Sequence, residues 1–267
     1  MRGVIRQIVV LLSTLGVIVV NGLANALPLN GQGTGEISDR FDVYFVPAGY
    51  VFSIWGLIYL GLLAYSIYQV LPSQRENPRL RRTGWLYVLS CAANVAWLFL
   101  WHYEVFTFTV LAMGLLLLSL IAIYLLLDIG RSRVSAAETW LVRVPFSIYL
   151  GWITVATIAN VTSLLDDVGW GGWGISPEAW AIIMLLAGAI IATAVSITRG
   201  DVAYIAVIIW AFIGIAVKHS DTPLVAIPAG FAAGFVLGTL LIGVPRTQQR
   251  QPTWVVRERR EGTFDRW

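Results

Sequence analysis

The chain has 267 residues, 58% hydrophobic and 12% charged, with a formal charge of +3 and a mean hydropathy of +0.76. A soluble domain of this length cannot hide so much apolar surface, so the solvent of the fold must be lipid. The single cysteine, Cys91, excludes an intrachain disulfide.

A membrane span needs roughly 20 apolar residues. Eight stretches qualify: 4–27, 47–71, 85–101, 105–127, 140–165, 178–198, 202–217 and 223–244. The third and seventh are short. All must be helices, because lipid offers no partner to an open backbone group. The fold class expected is therefore all-α, a polytopic membrane bundle of about eight transmembrane helices. Ahead of the first span, Arg2 and Arg6, then the apolar run and Ala24-Asn25-Ala26, have the outline of a signal peptide. The run is longer than a usual signal core, which favours a span.

Arginine and lysine set the orientation. With the N-terminus inside, the inner segments and the tail carry fifteen of them and the outer loops only Arg40 and Lys218. Arg143 lies just inside the fifth span and can snorkel. The pattern predicts a multi-pass protein of the cytoplasmic (inner) membrane with both termini cytoplasmic. Its positive charge reports topology, so no nucleic-acid partner is expected; the basic tail 245–267 suits anionic lipid heads.

Chemistry is sparse. His102 and His219 stand alone in outer loops, and no metal-ligand spacing, phosphate loop or nucleophile elbow occurs. Neither a catalytic residue nor a metal site is expected. Twelve tryptophans do need explaining. Trp85 and Trp140 fit an inner aromatic belt, Trp101, Trp170, Trp173 and Trp180 an outer one, and Trp254 and Trp267 lie in the tail. Trp55, Trp97, Trp152 and Trp210 lie within spans, where a belt does not account for the deep ones. Asn21, Asn94 and Asn160 fall in three spans near their outer ends, and an amide facing lipid is expensive. They either join helices by hydrogen bonds or line an outward-facing pocket.

Phe45-Val46-Pro47-Ala48-Gly49-Tyr50-Val51-Phe52, with Trp55 and Leu57-Ile58-Tyr59, resembles the opening of the second helix of the TspO/MBR family. These are the tryptophan-rich sensory proteins, relatives of the translocator protein (peripheral benzodiazepine receptor). Asn94-Val95-Ala96-Trp97-Leu98-Phe99 resembles that family's Leu-Asn-x-x-Trp segment in the third helix. Tyr149-Leu150-Gly151-Trp152, then Ala156 and Asn160, resembles its segment in the fifth. Order and spacing agree across three helices. The chain departs from the family at Ala48 (a second proline is usual), at Tyr50 (tryptophan is usual), in the displaced Pro145, and in three further helices.

The resemblance implies a five-helix TspO-like core over 1–165, a three-helix membrane extension over 166–244 and the basic tail. It implies a receptor or sensor that binds a hydrophobic ligand, porphyrin- or tetrapyrrole-like, in a cavity between helices. The matching ligand-binding positions are Tyr50, Trp55, Tyr59, Asn94, Trp97, Trp152 and Asn160. No cofactor is certain beyond such a porphyrin or haem-like ligand. The loop 28–46, with Gly31, Gly33 and Gly35, would be the roof. Its carboxylates Glu36, Asp39 and Asp42 read first as a solvated outer loop. Passive transport of a hydrophobic ligand and porphyrin modification are the alternatives; the latter rests on the resemblance only. Charges buried at mid-span, which coupled carriers need, are scarce. Gly230, Gly234 and Gly238 form a small-residue ridge. It serves either to seat the extra helices or to join two protomers as a homo-oligomer.

Overall fold

The computed structural model describes residues 2–27 and 29–249, and every regular element among them is helical. In chain order these are α1 (Arg2–Ala26), a short α2 (Thr34–Ser38) in the first loop, α3 (Ile54–Val70), α4 (Pro78–His102), α5 (Phe106–Leu126), α6 (Ala136–Glu138), α7 (Val144–Asp167), α8 (Pro177–Arg199), α9 (Val202–Lys218) and α10 (Pro223–Gln249). A 3-10 turn, Gly49–Ser53, leads into α3, and a π turn, Thr139–Arg143, joins α6 to α7. Seven helical stretches are long and apolar enough to cross a membrane. The eighth, α9, has 17 residues, about 26 Å at the helical rise. The tail beyond Gln249, with Trp254 and Trp267, lies outside the described residues, as does Pro28.

Local chemistry sets the helix ends. Asn77 accepts the Arg79 N–H at 3.1 Å, and Pro78 opens α4 where a missing N–H costs nothing. This helix therefore begins seven residues before Trp85. Arg79, Arg81 and Arg82 lower the hydropathy of its first turns without interrupting the backbone, so the third span is not short. Ser176 caps α8 and Asp201 caps α9, and Gly200 turns between them at φ 60°. Pro145 cannot donate to the turn before it, and there the backbone widens into the π turn.

The eight long helices alternate in direction. One end of the bundle, the roof end, gathers the loop 29–48, the C-termini of α4, α7 and α9, and the N-terminus of α8. The other end gathers arginines. There Arg79 pairs with Glu138 at 2.6 Å. Arg143 is held by the Leu127 carbonyl at 2.9 Å and the Ser132 hydroxyl at 2.7 Å. Tyr124 and Ser147 donate to the Asp201 carboxylate at 2.9 and 2.6 Å. Arg79, Glu138, Arg143 and Asp201 are thus engaged in fixing that end. Helix α9 runs from this network to the roof, so it passes from end to end despite its length.

Lipid supplies no hydrophobic drive between helices, so close packing and polar contacts must hold them. Gln7 and Gln69 exchange side-chain-to-carbonyl bonds between α1 and α3, at 2.5 and 2.9 Å. Thr14 binds Ser66 and Tyr87, linking α1, α3 and α4. Gly61 lies against Pro145, where an added Cβ would sit 3.0 Å from the ring. The last three helices form a second layer: α10 packs on α8 and α9, and α9 packs on α7. The ridge Gly230, Gly234 and Gly238 does not seat them. Space beside each glycine is open, and Ala229, Ala233 and Val236 of α10 are buried instead.

Candidate functional site

Below the roof lies a box of aromatic rings. Trp55 stacks on Tyr59 with ring centres 5.5 Å apart, and meets the Trp152 ring edge-on at 6.2 Å. Trp97 stacks on Trp101 at 5.6 Å. Phe52 closes on Trp152 at 5.6 Å. Two small cavities lie between these rings. The first, of about 50 Å³, is lined by Trp55, Trp97, Trp101, Trp152 and Asn160, under Thr34 and Pro47. The second, of about 160 Å³, is lined by Trp55, Tyr59, Trp97, Asn21 and Asn25, under Gly35. Thr34, Phe52, Trp55 and Trp97 are common to both and form the partition.

Five of the seven sequence-matched positions meet here: Trp55, Tyr59, Trp97, Trp152 and Asn160. Tyr50 and Asn94 line neither cavity. Tyr50 is half-exposed and meets Trp210 of α9 edge-on at 5.3 Å. Asn94 is buried in a chain of bonds across three helices: Asn21 donates to its oxygen at 2.9 Å, and its amide donates to the Tyr149 hydroxyl at 3.1 Å. Asn160 does both jobs. Its oxygen accepts the Trp97 N–H at 3.3 Å, its amide donates to Thr109 at 2.8 Å, and it still borders the first cavity. Trp152 differs from all of these. Its indole N–H is buried and has no acceptor among the described residues, a costly state for a donor.

The roof is tied down on both sides. His102, fully buried at the end of α4, is the pin. Its Nδ1 lies 3.1 Å from the Leu29 carbonyl, which can only accept, so this nitrogen carries the proton. Nε2 then accepts from the Thr34 hydroxyl at 3.0 Å. Asn30 donates to the His102 carbonyl, and Trp101 donates to the Thr34 carbonyl. Across the bundle, Asp39 pairs with Lys218 at 2.5 Å, and the Asp42 N–H donates to Asp166 at 3.2 Å. Glu36 turns back on its own loop and accepts the Gly33 N–H at 2.7 Å. None of the three roof carboxylates lines either cavity beneath.

Trp101 and His102 went unrecognised as parts of the site. An aromatic at a span end reads as belt, and a lone histidine carries no signal. Only the loop folding back over the end of α4 buries them.

No curated protein and no solved structure matches the chain. A family model described as TSPO-like protein matches residues 7–242, from the first turns of α1 to the last turns of α10. With the roofed box of indoles, this places the chain in the TSPO-like protein family.

Proposed function

We propose that the protein is a membrane receptor or sensor for a hydrophobic, flat, tetrapyrrole-like ligand held in the aromatic box. The observation that carries this reading is the buried Trp152 N–H without an acceptor among the described residues, on a ring that lines a cavity walled by other indoles. Indole faces stack on a flat macrocycle, and an acceptor on the ligand edge would satisfy the stranded donor. Trp55, Tyr59, Trp97 and Asn160 supply the remaining walls; Tyr50 and Asn94 act from outside them. The two cavities are smaller than the roughly 300–1,000 Å³ of ordinary ligand sites. A tetrapyrrole therefore needs the partition opened and the roof loop lifted. On this reading the five-helix unit 1–165 binds, the three-helix unit 166–244 braces, and the arginine-rich end faces the cytoplasm of an inner membrane.

The test is a titration of purified protein with protoporphyrin IX, haem, a bilin and a sterol, read by calorimetry. At least one tetrapyrrole should bind. Trp152→Phe keeps a ring and removes the N–H, so it should weaken binding about fivefold, the worth of one hydrogen bond. Trp140→Phe, on the exposed face of the bundle, should change nothing. Failure of every tetrapyrrole to bind, or equal affinity in wild type and Trp152→Phe, would sink the reading.

A further inference from the structure

A third cavity, of about 400 Å³, lies on the far side of the roof loop. Residues 42–45 of the loop form one wall, the last turns of α7 a second, and the start of α8 a third. Its size falls within the range of ordinary ligand sites, roughly 300–1,000 Å³. It is separate from the aromatic box, with which it shares no lining residue.

Its walls are rigid and aromatic. Trp170 and Trp180 lie with ring centres 5.0 Å apart. The Trp180 N–H donates to the Gly172 carbonyl at 2.9 Å, which fixes that ring. The connecting loop holds three successive residues at positive φ, Gly172, Trp173 and Gly174, and a non-glycine there carries strain. Tyr44 stands on the loop wall, its hydroxyl 3.5 Å from Glu178. Met184 and Ala181 extend the cavity between the helices.

The charge around this cavity has one sign. Asp42 and Asp166 line it, and no lysine, arginine or histidine does. Glu178 stands behind Tyr44. The cations described at this end are engaged elsewhere, Arg40 with Glu104 at 2.9 Å and Lys218 with Asp39. His219, edge-on to Tyr44 at 5.1 Å, adds no charge near neutral pH. Burial and the neighbouring Lys218 ammonium hold its imidazole below the ordinary value of 6.5. The Tyr44 phenol is raised by burial and then by the carboxylates of Glu178, Asp42 and Asp221.

We infer that this cavity is a binding site for an ammonium cation attached to an apolar body. Indole and phenol faces attract such a cation through their quadrupoles. The unpaired carboxylate of Asp42 and the rim carboxylate of Asp166 supply the counter-charge, and Met184 and Ala181 receive the apolar part. A neutral ligand would gain the apolar contact and nothing from the charge of the carboxylates. An anion would be repelled.

The probe is benzyltrimethylammonium, compared with its neutral carbon isostere neopentylbenzene, titrated calorimetrically into full-length protein in maltoside micelles. The cation should bind about tenfold more tightly, the size of a partly desolvated cation–π contact with a counter-charge. The double variant Asp42→Asn/Asp166→Asn should abolish that preference; asparagine at 166 keeps an oxygen for the Asp42 N–H. Met184→Trp, which fills the cavity without touching a charge, should abolish binding of both probes, and it covers the case in which the double variant fails to fold. Equal affinity for the two probes overturns the inference. So does an unchanged cation affinity in a folded Asp42→Asn/Asp166→Asn or Met184→Trp protein. Repeating the titration in phosphatidylcholine nanodiscs separates the two sources of such a cation. Loss of affinity there assigns the site to lipid headgroups, and retained affinity assigns it to a free ligand.

Discussion

At the scale of single residues, the buried asparagines divide by what they touch. Asn94 spends its amide on Asn21 and Tyr149. Asn94→Leu should lower the melting temperature, by about 1 kcal/mol of stability for interhelical bonds in lipid, and leave tetrapyrrole affinity within about twofold among folded molecules. Asn160 binds Trp97 and Thr109 and also borders the cavity, so Asn160→Leu should weaken binding several times more than Asn94→Leu. Melting curves and calorimetric titrations on both variants measure this; equal losses of affinity would refute the division. The sequence carried the depth of both amides and the cost of leaving them to lipid. It did not carry their partners, which lie on other helices. Tyr50 has a similar explanation. It falls in the five-residue 3-10 turn Gly49–Ser53, not in the α-helix that follows. That turn places it against Trp210 and away from Trp55.

At the scale of elements, the long apolar runs announced the helices, but α4 starts at Pro78, seven residues before the 85–101 run expected for it. The function of α9 was hidden, because it rests on contacts some 160 residues apart in the chain. Gly214 passes so close to Val51 and Pro47 that a methyl group there would overlap the Val51 side chain. Its carbonyl accepts the Ala48 N–H at 3.1 Å, and the Trp210 N–H donates to the Val51 carbonyl at 3.2 Å. Helix α9 thus braces the turn that aims Phe52 and Trp55 into the box. Gly214→Ala should cost about 1–3 kcal/mol, as overpacking does, and weaken tetrapyrrole binding. Gly230→Ala, with open space around it, should do neither. Recovery of both properties in Gly214→Ala/Val51→Ala would identify the overlap as the cause, whereas wild-type melting and binding in Gly214→Ala would remove α9 from the site.

At the scale of the molecule, the described chain begins and ends at the same face of the bundle, because eight helices pass between the roof and the arginine end. The fifteen-to-two asymmetry of arginine and lysine, read across the sequence, is the ground on which we propose that this face is cytoplasmic. Reporter fusions after Arg79, after Arg131 and at the C-terminus should read cytoplasmic, and one after Gly171 periplasmic. A periplasmic reading at Arg131 would reverse the assignment. The all-helical bundle and its seven long apolar helices were legible because apolar length is a local property. The second layer's contact with the roof was not, because an α9 of 17 apolar residues looks the same whether it supports a site or merely fills space.

The roof loop and one turn of α7 are party walls. Ala159, Asn160 and Ser163 border the aromatic box, while Val161, Thr162 and Leu165 border the tryptophan-lined cavity beside it. Thr34, Ser38, Val46 and Pro47 of the loop face the first, and Asp42 to Phe45 the second. A ligand that lifts the loop to enter the box must move the wall of its neighbour. Occupancy of the two chambers is then linked, and thermodynamic reciprocity makes the factor the same in both directions. On the two proposals above, a bundle that would serve one guest becomes a two-input device, in which an ammonium compound on one side of a wall sets how readily a macrocycle is admitted on the other.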